Sequence, residues 1–75
     1  MKVYGYSKAK LSPAGLLEMK EVTFSASSAV IRQVASFLLA AADKMEKKGE
    51  AFSHMHVDES IATWSRSWPQ VIVGK

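Results

Sequence analysis

The segment from residue 25 to residue 49, SASSAVIRQVASFLLAAADKMEKKG, is the longest periodic stretch in this chain of 75 residues. Its apolar side chains recur every three or four residues, which places them on one stripe of an α-helix. Ser27 or Ser28 can cap the N-terminus through a hydroxyl, and Gly49 can adopt the left-handed conformation that ends a helix. The predicted core stripe of this long amphipathic helix has seven members: Val30, Ile31, Val34, Phe37, Leu38, Ala41 and Met45.

A first strand is predicted at residues 2–6, where KVYGY is rich in β-branched and aromatic residues. Residues 8–15 follow as a polar connection. Pro13 and Gly15 within it are typical of the turn between two hairpin strands.

The second predicted strand, residues 16–24 (LLEMKEVTF), alternates between apolar and polar residues, but the apolar phase changes between Met19 and Val22. A shift of one residue sends every later side chain to the opposite face of a strand. We therefore predict a β-bulge near Lys20 and Glu21 that lets both apolar pairs reach the same core. Burial of both faces is the alternative.

Two further strands are predicted after the helix. Residues 51–58 (AFSHMHVD) alternate again, and we expect Met55 and Val57 to face the helix. Residues 70–73 (QVIV) are apolar on both faces, which favours a strand with a neighbour on each side.

This order predicts an α+β fold: a single ββαββ domain over residues 1–75, with a four-stranded, mostly antiparallel sheet and the long helix packed on one of its faces. The last strand is expected between the second and third, in the order 1-2-4-3. The order 1-2-3-4, with a right-handed parallel crossover, is the competing topology.

Composition narrows the functional classes. The chain has no cysteine, which excludes disulfides and thiolate zinc sites, and its net charge of +3 is dispersed. No segment approaches the roughly 20 apolar residues of a membrane span. We expect a soluble, cytoplasmic protein that does not bind membranes.

The run His54-Met55-His56-Val57-Asp58 is close to the H-x-H-x-D motif of metallo-β-lactamases. Two imidazoles at i and i+2 on a strand point the same way, but a catalytic zinc needs three protein ligands and this chain has only two histidines. No cysteine nucleophile or G-x-S-x-G elbow is present either. We expect no metal, no cofactor, no catalytic residue and no enzymatic activity.

The exposed aromatic residues and the histidine pair are the candidate partner-binding residues: Tyr4, Tyr6, His54, His56, Trp64 and Trp68. The tyrosines and tryptophans can stack on bases, so a small nucleic-acid-binding domain with an open sheet face is one alternative function. No nucleic-acid-binding motif supports it, and nucleic acid is the less favoured partner. The simplest role for Trp64 or Trp68 is a place in the core.

Leu39 lies just outside the core stripe, between Ala35 and Ala42, and can meet another chain. With an uncovered sheet face, it predicts a two-fold homodimer. A dimeric structural or interaction protein is therefore a second alternative function.

Five segments together resemble the immunity protein 32 family of bacterial polymorphic toxin systems: residues 15–24 (GLLEMKEVTF), 37–39 (FLL), 42–46 (ADKME), 52–56 (FSHMH) and 68–73 (WPQVIV). The resemblance implies a small cytoplasmic α+β protein that binds and neutralises a cognate toxin without catalysis. It leaves the activity of that toxin open.

Overall fold

The computed structural model describes residues 1–11 and 16–75. Its elements in chain order are β1 (Lys2–Leu11), β2 (Leu17–Ser25), α1 (Ser28–Lys48), a 3₁₀ turn (Gly49–Ala51), β3 (His54–His56), α2 (Val57–Ser60) and β4 (Ile72–Gly74). The strands form two separate antiparallel pairs, β1 with β2 and β3 with β4.

The fold is therefore α+β, as predicted, but the four-stranded sheet is wrong. Within the described residues β4 pairs with β3 and has no contact in register with β2, so neither predicted strand order occurs. Because β3 and β4 have only three residues each, they offer the nine-residue β2 few backbone groups with which to pair.

The caps of α1 confirm the predicted ends of the helix. Ser27 caps its N-terminus, where the hydroxyl oxygen accepts a hydrogen bond from the Val30 N–H at 3.3 Å. Gly49 ends the helix with a φ of 54°, and its N–H donates to the Met45 carbonyl. Lys47 and Lys48 lie in the last turn, where the helix dipole favours positive charge.

One side of α1 packs into the core through Val34, Phe37 and Ala41. Ile31 and Leu38, predicted for the same stripe, are instead 38% and 44% exposed. The prediction of one broad stripe was wrong because the segments that pack on α1, chiefly the 3₁₀ turn and α2, cover only one flank of the helix. The core cluster joins Val34 and Phe37 of α1 to Val57 and Trp64. Seven partly buried residues surround it: Met1, Val30, Met55, Ile61, Trp68, Val71 and Val73.

Of the strand predicted over residues 51–58, only His54–His56 form a strand. After His56 the chain enters α2, where Asp58 and Glu59 occupy the first turn and stabilise the positive end of the helix dipole. The Val57 N–H still donates to the Val71 carbonyl at 2.9 Å. Val57 is fully buried and Met55 is partly buried, so both face the core as predicted.

β4 was predicted to have a neighbour on each side. It pairs with β3 alone among the described residues, and Ile72 is 52% exposed. The strand is thus an edge, and its continuous apolar run is only partly buried.

β1 and β2 form a long hairpin whose register confirms the predicted bulge. Tyr6 pairs with Glu21 and the next residue, Ser7, pairs with Met19, so Lys20 is the extra residue. β1 extends well beyond the predicted residues 2–6 and takes up the first half of the connection predicted at 8–15. The predicted turn residues Pro13 and Gly15 lie outside the described residues.

The hairpin stands apart from the core. Every residue of β2 is exposed, so the prediction that its apolar pairs reach the core was wrong, and burial of both faces does not occur either. Met1, just before β1, packs against the core cluster. In the part of the chain that the structure describes, no helix has the length and apolar content needed to cross a bilayer.

Candidate functional site

The hairpin has two chemically different faces, and cross-strand partners share a face. One face carries Val3 opposite Phe24, Gly5 opposite Val22, and Ser7 opposite Met19. We call the exposed apolar members of this surface the apolar face: Val3, Leu17, Met19, Val22 and Phe24. All five are between 36% and 56% exposed, which is unusual for a contiguous group of large apolar residues in a folded monomer.

The opposite surface of the hairpin is polar and contains both tyrosines. Tyr4 lies opposite Thr23 and Tyr6 lies opposite Glu21, and the two tyrosines are 56% and 70% exposed. Further along the same surface, Lys8 forms an exposed ion pair with Glu18, with Nζ and Oε1 3.2 Å apart. We call this surface the tyrosine face. It brings two of the predicted partner-binding residues together.

The histidines are also brought together, on β3 and away from the core. The ring centroids of His54 and His56 are 5.0 Å apart in an edge-to-face arrangement, and Ser53 Oγ lies 2.9 Å from His54 Nδ1. Asp58, the last residue of the zinc-like motif, lies in α2, where its N–H donates to the Gln70 side chain. Among the described residues, no group of three histidine, cysteine, aspartate or glutamate residues is placed to hold a metal ion.

Trp64 and Trp68 have a structural role in this fold. Trp64 is buried in the core cluster, and its indole N–H donates to the Pro69 carbonyl at 3.2 Å. Trp68 is partly buried against it, with the ring centroids 5.1 Å apart at an interplanar angle of 85°. Packing and hydrogen bonding thus account for both rings, and Trp64 has little surface left for a partner.

A pocket beside the two tryptophans is lined in addition by Asp58, Ser65, Arg66 and Gln70. Ser65 is the hydroxyl in this pocket, and its Oγ lies 2.8 Å from the Ser67 hydroxyl. The pocket lining contains no histidine to activate that hydroxyl as a nucleophile.

Sequence reasoning found the tyrosines and the bulge but missed the surface that they create. The alternation and the phase change already place four apolar residues on one face of β2. What the pattern does not contain is whether that face is covered, because the cover must come from a distant part of the chain or from another molecule.

The chain matches no protein-family model, and neither a curated protein nor a solved structure matches it.

Proposed function

We propose that this chain is a non-catalytic protein-binding domain whose recognition element is the β1–β2 hairpin. The observation that carries the proposal is the tyrosine face: two adjacent exposed tyrosines, with Lys8, Glu18 and Glu21 around them, on a strand pair that projects from the core. Tyrosine is enriched at protein interfaces because it supplies a large contact area and a hydroxyl with only two rotatable bonds.

The backbone of the hairpin adds a second mode of recognition. β1 and β2 pair with each other, and the described residues provide no third strand for either outer edge. A free strand edge can pair with an extended segment of a partner, which supplies main-chain hydrogen bonds while the tyrosines supply specificity. Tyr4 and Tyr6 are accordingly the residues on which binding energy should concentrate.

The specific form of this function that the family resemblance implies is neutralisation of a bacterial toxin. The candidate partner is the product of the gene next to the one that encodes this chain. We expect the two proteins to form a complex when co-expressed, and the chain to suppress any toxicity of its neighbour. A neighbour that is not toxic and does not co-purify would rule out this form of the proposal.

Within the complex, Tyr4→Ala and Tyr6→Ala should each weaken binding by at least about 30-fold, the loss typical of a hot spot. Ile72→Ala is the matched control, because Ile72 is exposed to a similar degree but lies on β4. Isothermal titration calorimetry would give the affinities and circular dichroism the fold. Equal affinities for the two tyrosine variants and the control would exclude the tyrosine face as the interface.

Nucleic-acid binding is the rival function, since lysines and tyrosines share the tyrosine face. The same face also carries the carboxylates of Glu18 and Glu21, and Glu18 already pairs with Lys8. Carboxylates beside the tyrosines repel a phosphate backbone, and this favours a protein partner. Binding of labelled single-stranded RNA that weakens steeply with salt would support the rival, because counterion release has that signature.

A further inference from the structure

We infer that a second copy of this chain covers the apolar face of the hairpin, in a two-fold dimer in which each hairpin lies on the α1 helix of the other copy. This inference goes beyond the proposed function, because it concerns the opposite face of the hairpin and does not depend on an external partner.

One flank of α1 is left uncovered by the rest of its own chain. Leu38 and Leu39 follow Ile31 by seven and eight residues. These spacings place all three residues on one side of the helix, next to the core stripe. They are 38%, 44% and 69% exposed. We call these three residues the outer stripe. The helix therefore buries one apolar stripe within the chain and leaves a second apolar stripe in water.

The apolar face and the outer stripe are surfaces of complementary kinds. A sheet face and a helix stripe are the two apolar surfaces that pack on each other in α+β layers. Lys2 and Glu21, which pair with residues of the opposite strand, lie on the tyrosine face. The ion pair of Lys8 and Glu18 lies on the same face. The apolar face can therefore be buried without burying these charges.

The chain exposes more surface than a compact monomer of its mass. A folded monomer of 8.2 kDa is expected to expose about 4,500 Å². This chain exposes 5893 Å². The excess is about 1,400 Å² for each chain, or about 2,800 Å² for two, which is more than a stable interface needs.

Shape leads to the same conclusion. The radius of gyration is 13.4 Å, compared with about 11 Å expected for a compact domain of this length. Because one chain carries both the apolar face and the outer stripe, a two-fold dimer buries both surfaces of each copy. The hairpin of each copy packs on the outer stripe of its partner. An unrelated protein would have to match both surfaces separately.

The test uses light scattering on the untagged full chain at tens of micromolar. The wild type should have twice the mass of 8.2 kDa. Val22→Lys, on the apolar face, and Leu38→Asp, on the outer stripe, should each reduce the mass to that of one chain, because each variant places two charges in the interface. Circular dichroism should show that both variants keep their helix, since neither position is buried within the chain.

Matched controls place the same charges on the opposite sides of the same elements. Thr23→Lys on β2 and Ala40→Asp on α1 should remain dimeric, because both positions are exposed and lie outside the two surfaces. A mixture of Val22→Lys and Leu38→Asp chains should recover a dimer of mixed composition. In that mixed dimer one hairpin-on-helix contact is wild type and the other places lysine near aspartate.

Several outcomes would overturn the inference. A wild-type mass of one chain would do so directly, and so would a dimer that survives both substitutions. Loss of the dimer with Leu38→Asp alone would show that the helix contributes to the interface and the apolar face does not. A mixture that stays monomeric would exclude the reciprocal exchange of hairpins.

Discussion

The terminal methyl group of Met19 lies beside Gly5, in the space that a Cβ atom at Gly5 would occupy. The backbone carbonyl of Glu21 borders the same space. Both contacts result from the bulge at Lys20, which brings Met19 onto the face of the hairpin that holds Gly5. The Met19 side chain of β2 therefore covers the middle of β1 on the apolar face. It can do so because Gly5 has no side chain.

We predict that Gly5→Val disrupts the hairpin. The Met19 methyl can move aside, but the Glu21 carbonyl belongs to the strand backbone and can move only if the pairing changes. Overpacking of this kind costs about 1–3 kcal/mol, which is large for a two-stranded hairpin of marginal stability. Hydrogen exchange measured by NMR should show faster exchange of the β1 and β2 amides.

Gly74→Val is the control for that experiment. Gly74 also lies in a strand, but a Cβ atom there would meet nothing within 4 Å. We expect unchanged amide protection in this variant. Unchanged protection of β1 and β2 in Gly5→Val would contradict the close approach of Met19 and Glu21.

The local features of this fold could be predicted from sequence because each depends on neighbouring residues. The ends of α1 follow from a serine hydroxyl at Ser27 and from the conformational freedom of Gly49. The bulge at Lys20 follows from a change of apolar phase within one strand. In each case the physical cause lies within a few residues of its effect.

The tertiary arrangement was not predictable in the same way. A long apolar stripe on α1 indicates that the helix is covered, but it does not indicate which segment covers it. The prediction packs Ile31 and Leu38 against a four-stranded sheet that does not form. The alternation around His54 and His56 similarly predicts a strand without showing that the chain turns into α2 at Val57. Both errors concern which distant segment supplies the cover, and a single sequence does not contain that information.

The two flanks of α1 give a direct prediction about stability. Val34→Asp should unfold the chain, because Val34 is only 4% exposed and an unpaired buried charge costs about 3–5 kcal/mol, as much as many small domains have in total. Leu38→Asp should leave the helix intact, because that side chain is not buried within its own chain. Far-ultraviolet circular dichroism of the two variants would separate these outcomes. Unfolding by both would show that the broad stripe predicted from sequence is buried after all.

The histidine pair gives a prediction about metal. Two imidazoles without a third ligand do not form a specific zinc site, so we expect no saturable binding of micromolar zinc by the tag-free protein. Calorimetric titrations of the wild type and of His54→Ala should be indistinguishable. Micromolar affinity that is lost in His54→Ala or His56→Ala would establish a metal site on β3 and reopen the possibility of hydrolytic chemistry.

The last prediction separates the two tryptophans. Trp64→Phe removes the indole N–H that donates to the Pro69 carbonyl and leaves space in the core, so the free energy of unfolding should fall by about 1–3 kcal/mol. Trp68→Phe keeps an aromatic edge against Trp64 at a partly buried position, and its cost should be smaller. Chemical denaturation monitored by circular dichroism would measure both. Each variant also isolates one tryptophan for fluorescence, and Trp64 alone should emit at shorter wavelength and resist quenching by iodide. Equal quenching of the two residues would place Trp64 at the surface and return it to the candidates for partner binding.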